Sequence, residues 1–130
     1  MILEEFDQNR KAIIKGLPQT AVSCFARETF ARMLADFDHE LITTTSMANI
    51  EIPIYRVFAD RQELALFNAP VGASACVAIL EDLIAFGMRK LALFGTCGVL
   101  DEDIKETSVI IPTAALRDEG TSYHYQPASS

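Results

Sequence analysis

Cationic residues are scarce in this chain of 130 residues: 11 Lys and Arg stand against 18 Asp and Glu, a formal net charge of −7. That balance argues against a nucleic-acid backbone as partner, although a local site for phosphate or a mononucleotide can oppose the global charge. Cysteine is limited to Cys24, Cys76 and Cys97, with no C-x-x-C pair. An odd count without a signal peptide points to a reducing compartment, the cytoplasm. Cys24 and Cys76 lie in apolar patterns and read as small core residues. Neither histidine, His39 or His124, has a ligand-spaced companion, so no metal site is expected. No apolar run reaches membrane-spanning length, and Met1-Ile-Leu-Glu-Glu-Phe lacks a basic leader region, so no membrane partner is expected. There is no internal repeat and no low-complexity tract.

Hydrophobic residues, by contrast, make up 50% of the chain, which excludes disorder as its overall state. A single domain of this length buries roughly two thirds of its unfolded surface. In Leu3–Lys15 the spacing of Leu3, Phe6, Ile13 and Ile14 predicts a short amphipathic helix, ended by Gly16 and Pro18. Thr20 is placed to cap a second helix, Ala21–Phe37, with Val22, Phe25, Ala26, Thr29, Met33 and Phe37 as its apolar stripe. The first helical region is thus 1–37. A turn at Asp38–Glu40 leads to β character over Leu41–Thr45. Ile50, Ile52 and Ile54 alternate with Glu51, Pro53 and Tyr55, which predicts a strand with one buried face. Pro53 donates no ladder hydrogen bond and favours an edge or a strand start. Asp60-Arg-Gln62 reads as a hairpin turn, and Glu63–Asn68 as the returning strand.

A βαβ unit follows: strand Leu64–Asn68, loop Ala69-Pro-Val-Gly72, helix Ala73–Phe86, turn Gly87 and strand Lys90–Phe94. The helix is apolar on almost every side, so it is expected to be buried on the sheet. Such crossovers join parallel strands. The loops Pro70–Ser74 and Gly95–Gly98 therefore fall on one edge of the sheet, where open α/β sheets bind ligands. Glycines at the end of a buried strand let backbone N–H groups approach a ligand closely. A further strand, Val109–Ile111, is predicted to open into a loop carrying Arg117, Gly120, Ser122 and His124. Gly120 suits a turn with positive φ. The cluster Asp101-Glu-Asp103 with Glu106 lacks the spacing of a calcium loop and reads as a solvated turn.

Phe94-Gly-Thr-Cys-Gly98, followed by Arg117-x-x-Gly120-x-Ser122-x-His124, resembles the nucleoside phosphorylase family of the uridine and purine phosphorylase type. The helix Gly72–Leu83 is similar to the family helix ahead of that strand, and the resemblance covers roughly Glu51–Pro127. It implies an α/β fold: a three-layer αβα arrangement with a mixed, largely parallel sheet. Here that sheet is incomplete at its C-terminal side, because family chains continue for about as long again. Residues 1–130 then form one α/β domain, with 41–127 its phosphorylase-like region and the whole a truncated half of a longer one.

The implied reaction is reversible cleavage of a nucleoside's N-glycosidic bond by phosphate, giving a free base and ribose 1-phosphate. Phosphate is then a co-substrate and no cofactor is needed. By resemblance Gly95 and Thr96 match positions near phosphate and ribose, and Cys97 and Gly98 match positions lining base and sugar. Gly72, Arg117 and His124 are possible loop contacts, with Arg117 equally suited to organising its loop through Asp118 or Glu119. No catalytic residue is assigned. Family members assemble as oligomers, so a homo-oligomer is implied. The departures are specific. Leu93 stands where many phosphorylases carry a phosphate-binding arginine, and no Gly-Asp-Pro-x-Arg loop is present. Arg27, Arg32 and Arg56 could substitute in space, although each reads first as a surface arginine. Two alternatives follow, a hydrolytic nucleosidase and a non-catalytic ligand-binding subunit. The 130 residues alone are expected to show little or no phosphorylase activity.

Overall fold

The computed structural model describes residues 16–105 and 108–127. The helix expected over Leu3–Lys15 and the carboxylate of Glu106 lie outside them. The chain divides into two compact units between Gly95 and Thr96.

The first unit is built on a five-stranded sheet. Its elements run β1 (Thr20–Cys24), α1 (Arg27–Asp36), β2 (His39–Met47), β3 (Ile50–Ala59), β4 (Gln62–Asn68), α2 (Ala73–Ala85) and β5 (Lys90–Phe94). The strand order is β2-β3-β4-β1-β5. Pairs β2/β3 and β3/β4 are antiparallel, whereas β4/β1 and β1/β5 are parallel. The sheet is mixed as expected, but its pairings divide evenly rather than being largely parallel.

The sequence-based boundaries fail most clearly at β1. The expected helix Ala21–Phe37 is instead a strand followed by a shorter helix, α1. Thr20–Cys24 lies between two parallel neighbours, and Ala21, Ser23 and Cys24 are buried. A five-residue strand of mostly small residues carries too little hydrophobic alternation to betray it. Its small residues mimic a helix start. The Ser23 hydroxyl, fully buried, donates to the Phe67 carbonyl at 2.9 Å, which removes the cost of burying it.

β2 starts at His39, inside the expected turn. The β3–β4 hairpin turns where expected, with Asp60 and Arg61 both at positive φ (46° and 65°), the conformation of a two-residue hairpin loop. Pro53 opposes Thr44 of β2, but β4 begins to pair with β3 only at Ile54. The proline therefore sits where β3 has one neighbour, and its missing N–H breaks no ladder with β4.

One hydrophobic cluster joins sheet and helix: Ile52, Ile54, Ala65 and Phe67 pack with Cys76, Ile79 and Leu83 of α2, together with Leu17, Ala21, Ala69 and Met88. Only the stripe Cys76, Ile79 and Leu83 of α2 is fully buried, and Ile84 is exposed, so the helix is less enclosed than its composition suggests. Thr45 Oγ1 donates to Asp82 Oδ2 at 2.9 Å and ties β2 to α2. Phe30 of α1 meets Tyr55 of β3 with ring centroids 6.1 Å apart. Arg56 draws β2, β3 and β4 together by bonding Glu40 and the Gly16 carbonyl and by lying 3.4 Å from Glu63.

In the second unit, Val109–Ile111 is not a strand. Val109 and Ile111 are 93% and 83% exposed. Strand propensity is realised only against a neighbour, and none pairs with this segment among the described residues. Asp101 forms a local turn, accepting the Asp103 N–H on its side chain at 3.0 Å and the Ile104 N–H on its carbonyl at 3.2 Å. A 3₁₀ helix, Thr121–His124, follows Gly120, whose φ of 82° meets the positive value expected of it. No helix among the described residues is long and apolar enough to cross a membrane.

Candidate functional site at the carboxyl edge of the sheet

Parallel pairing fixes where three strands end. Cys24 is the register partner of both Asn68 and Phe94, so the carboxyl ends of β4, β1 and β5 stand in a row. The loops after β4 and β5 leave from the same edge, as the βαβ pattern predicts. The loop after β1, which the sequence reading placed inside a helix, leaves from it too. Two donors converge on the Cys24 carbonyl: the Asn68 side-chain amide at 2.7 Å and the Ala69 N–H at 2.9 Å. They bind the β1 and β4 ends together. Burial raises the Cys24 thiol's pKa, against a lowering bond to the Ala26 carbonyl, and burial alone raises that of Cys76. Both thiols are held protonated and are packing groups, not nucleophiles.

A cavity of about 530 Å³ opens at this edge. The first turn of α1 and its approach supply Phe25, Arg27 and Phe30. The start of β3 supplies Ile50, Glu51, Ile52 and Pro53, and the β4–α2 loop supplies Asn68, Ala69, Pro70 and Val71, with Ala75 from α2. The volume is in the range of small-molecule sites. Arg27 and Glu51 bring charges of opposite sign to a largely apolar lining. The hairpin tip and the Phe25–Phe30 segment were not expected as lining residues. The signal for them was the three-strand edge, which is hidden until β1 is recognised. Of the arginines considered as substitutes, Arg27 reaches the cavity, Arg56 is engaged with Glu40 and Glu63, and Arg32 is exposed on α1.

Gly72 precedes α2 with φ of 106°, and nothing lies within 4 Å of where its Cβ would be. Its requirement is conformational: it turns the chain so that α2 starts at the cavity, and the positive end of a helix dipole faces that way. Gly95 is different. Its φ is not positive, but a Cβ there would lie 3.0 Å from Phe25 Cδ2. The close approach that this glycine permits is to an aromatic ring of the protein itself.

Thr96, Cys97, Gly98, Arg117 and His124 belong to the second unit. Cys97 is an exposed free thiol, and Gly98 faces open space. Arg117 is the hub of its loop. It donates to Ser122 Oγ at 2.8 Å, the Gln126 carbonyl at 2.6 Å and the Pro127 carbonyl at 2.7 Å, and its guanidinium lies 4.3 Å from the Tyr123 ring centroid. Tyr123 returns a bond from its hydroxyl to the Arg117 carbonyl at 2.9 Å. Glu119 accepts the Thr121 N–H at 2.7 Å and also the Ser122 N–H and hydroxyl. The carboxylate thus bonds the start of the 3₁₀ helix rather than Arg117. His124, at the end of that helix, is exposed. No group of three or more His, Cys, Asp or Glu able to hold a metal ion occurs among the described residues.

Known proteins place this architecture. Residues 12–130 match the model of the phosphorylase superfamily. The chain is 29% identical to guanosine phosphorylase of Halorubrum lacusprofundi over 126 residues, 97% of this chain and 47% of that protein. It is 27% identical to uridine phosphorylase of Haemophilus influenzae over 88 residues, 68% of this chain and 33% of that one. The fold matches part of the crystal structure of uridine phosphorylase from Vibrio fischeri with a TM-score of 0.59 at 16% identity, over 71% of this chain and 37% of that structure. The chain therefore spans less than half the length of the relatives it matches. It belongs to the phosphorylase superfamily.

Proposed function

We propose that the chain is the nucleoside-binding half of an enzyme that cleaves an N-glycosidic bond with phosphate, yielding a free base and ribose 1-phosphate. The observation that carries this reading is the 530 Å³ cavity at the carboxyl ends of β1 and β4, in a chain of this superfamily. In such a reaction a phosphate oxygen bonds to the anomeric carbon as the C–N bond breaks, and the electron pair leaves on the base. The transition state resembles an oxocarbenium ion, so the site must hold an anion near the sugar. Arg27 and the amino end of α2 are suited to that task. Thr96 would offer a hydroxyl to phosphate or ribose, Cys97 and Gly98 would line base and sugar, and His124 would contact ligand from the loop that Arg117 organises. The substrate is a uridine-type or purine nucleoside. The complete fold is a three-layer αβα arrangement, assembled as a homo-oligomer in the reducing cytoplasm. Unpaired Cys24, Cys76 and Cys97 support that compartment.

Hydrolysis is the second reading, favoured by one observation: Arg27 shares the cavity with Glu51, while the strand position before Phe94 is the apolar, exposed Leu93. A panel of nucleosides incubated with the longer protein and with the 130-residue chain, with and without phosphate, separates the readings by base release. Phosphorolysis predicts phosphate-dependent release by the longer protein and little or none by the chain alone. Release independent of phosphate selects hydrolysis, and none by the longer protein overturns both.

A further inference from the structure

We propose that Phe25 is the specificity wall of the cavity, against which a flat aromatic ring of the ligand packs, and that Gly95 is a positioning residue acting through it. The proposal rests on reading the carboxyl edge as the ligand site. It departs from a direct contact between Gly95 and the ligand, which strand-end glycines suggest.

Phe25 has three surroundings. It packs against the hydrophobic cluster, it lines the cavity, and its ring lies over Gly95. A side chain at Gly95 would start 3.0 Å from Cδ2 and 3.5 Å from Cε2 of that ring, so the ring would have to move. Because the φ of Gly95 is not in the left-handed region, alanine is compatible with its backbone. The absent Cβ is thus explained by Phe25 alone. The glycine leaves a slot that sets where the ring stands, and the ring forms one wall of the cavity.

The other walls suit the same kind of ligand. Phe30, Ile52, Pro53, Pro70 and Val71 are apolar and present broad surfaces. A planar heterocycle of one or two rings fits about 530 Å³, with Asn68, Glu51 and Arg27 near enough in the lining to meet its polar edge.

The test uses the full 130-residue chain, labelled with ¹⁵N, and indole as the aromatic probe, with guanosine, uridine and inorganic phosphate titrated separately. Indole is expected to shift the amides of residues 25–30 and 68–71. Phe25→Ala should weaken indole binding about tenfold, the scale of losing an aromatic contact with its buried area. Gly95→Ala should weaken it several-fold, and should have no further effect in a Phe25→Ala background. If Phe25→Ala loses cooperative unfolding, Phe25→Leu, which keeps most of the bulk without the ring face, replaces it in the cycle. Equal losses from Gly95→Ala with and without Phe25 would overturn the proposal, because the glycine would then meet the ligand itself. So would a folded wild-type chain that does not bind indole. Indole binding with the expected coupling, but no response to either nucleoside, would support the wall and remove the nucleoside reading.

Discussion

Glu119 and Ala48 show what single residues contribute. Glu119 is exposed, yet its pKa is lowered, first of all by the Ser122 hydroxyl; desolvation opposes this, and the backbone N–H groups of Ser122 and Thr121 lower it further. A depressed carboxylate pKa means that the folded loop prefers the ionised form. Its contribution is present above the ordinary value of 4.5 and is lost as pH falls through the lower, folded value. The amides of Thr121 and Ser122, followed by NMR, are therefore expected to titrate with a midpoint below 4.5, and Glu119→Gln should abolish that transition. A midpoint at or above the ordinary value would contradict the bonding described. Ala48, in the β2–β3 hairpin loop, has φ of 53°, a conformation costly for a residue with a Cβ. Ala48→Gly should raise stability by about 1 kcal/mol in denaturant unfolding, since the glycine needs no strained backbone there. A loss of similar size would show that the loop relaxes in solution.

At the scale of elements, hydrophobic patterning located most of the sheet but not β1, the strand between β4 and β5. Ile50, Ile52 and Ile54 declared β3 by alternation, and Asp60-Arg61 declared the hairpin by turn chemistry. The βαβ unit was legible because helix and strands differ in period and are separated by Gly72 and Gly87. β1 was not, because Ala21, Ser23 and Cys24 are small, buried and flanked by parallel strands. Missing it hid the loop carrying Phe25 and Arg27, and with it part of the cavity. Val109–Ile111 failed in the opposite direction: its β-branched residues have the propensity of a strand, but no partner realises it among the described residues. Element-to-element ties beyond the core also escape pattern reading. Thr45 and Asp82 are 37 positions apart, yet their hydrogen bond links β2 to α2. Thr45→Val retains shape and removes the bond, so thermal or chemical unfolding should show a loss of about 1 kcal/mol. No loss would mean that water serves Asp82 equally well.

For the whole molecule, family membership and the sheet edge are established on different grounds. The superfamily match covers residues 12–130, whereas the edge follows from strand register alone. The cavity was not legible in the sequence, because it is assembled from three segments separated by up to 50 positions, between Phe25 and Ala75. The central claim is that this edge binds the nucleoside. The most direct measurement is an amide chemical-shift titration of the ¹⁵N-labelled chain with guanosine and with uridine, each with and without phosphate. Saturable shifts concentrated in residues 24–30, 50–53 and 68–75 are the predicted result. A folded chain whose saturable shifts fall elsewhere, or that shows none at millimolar nucleoside, would contradict it.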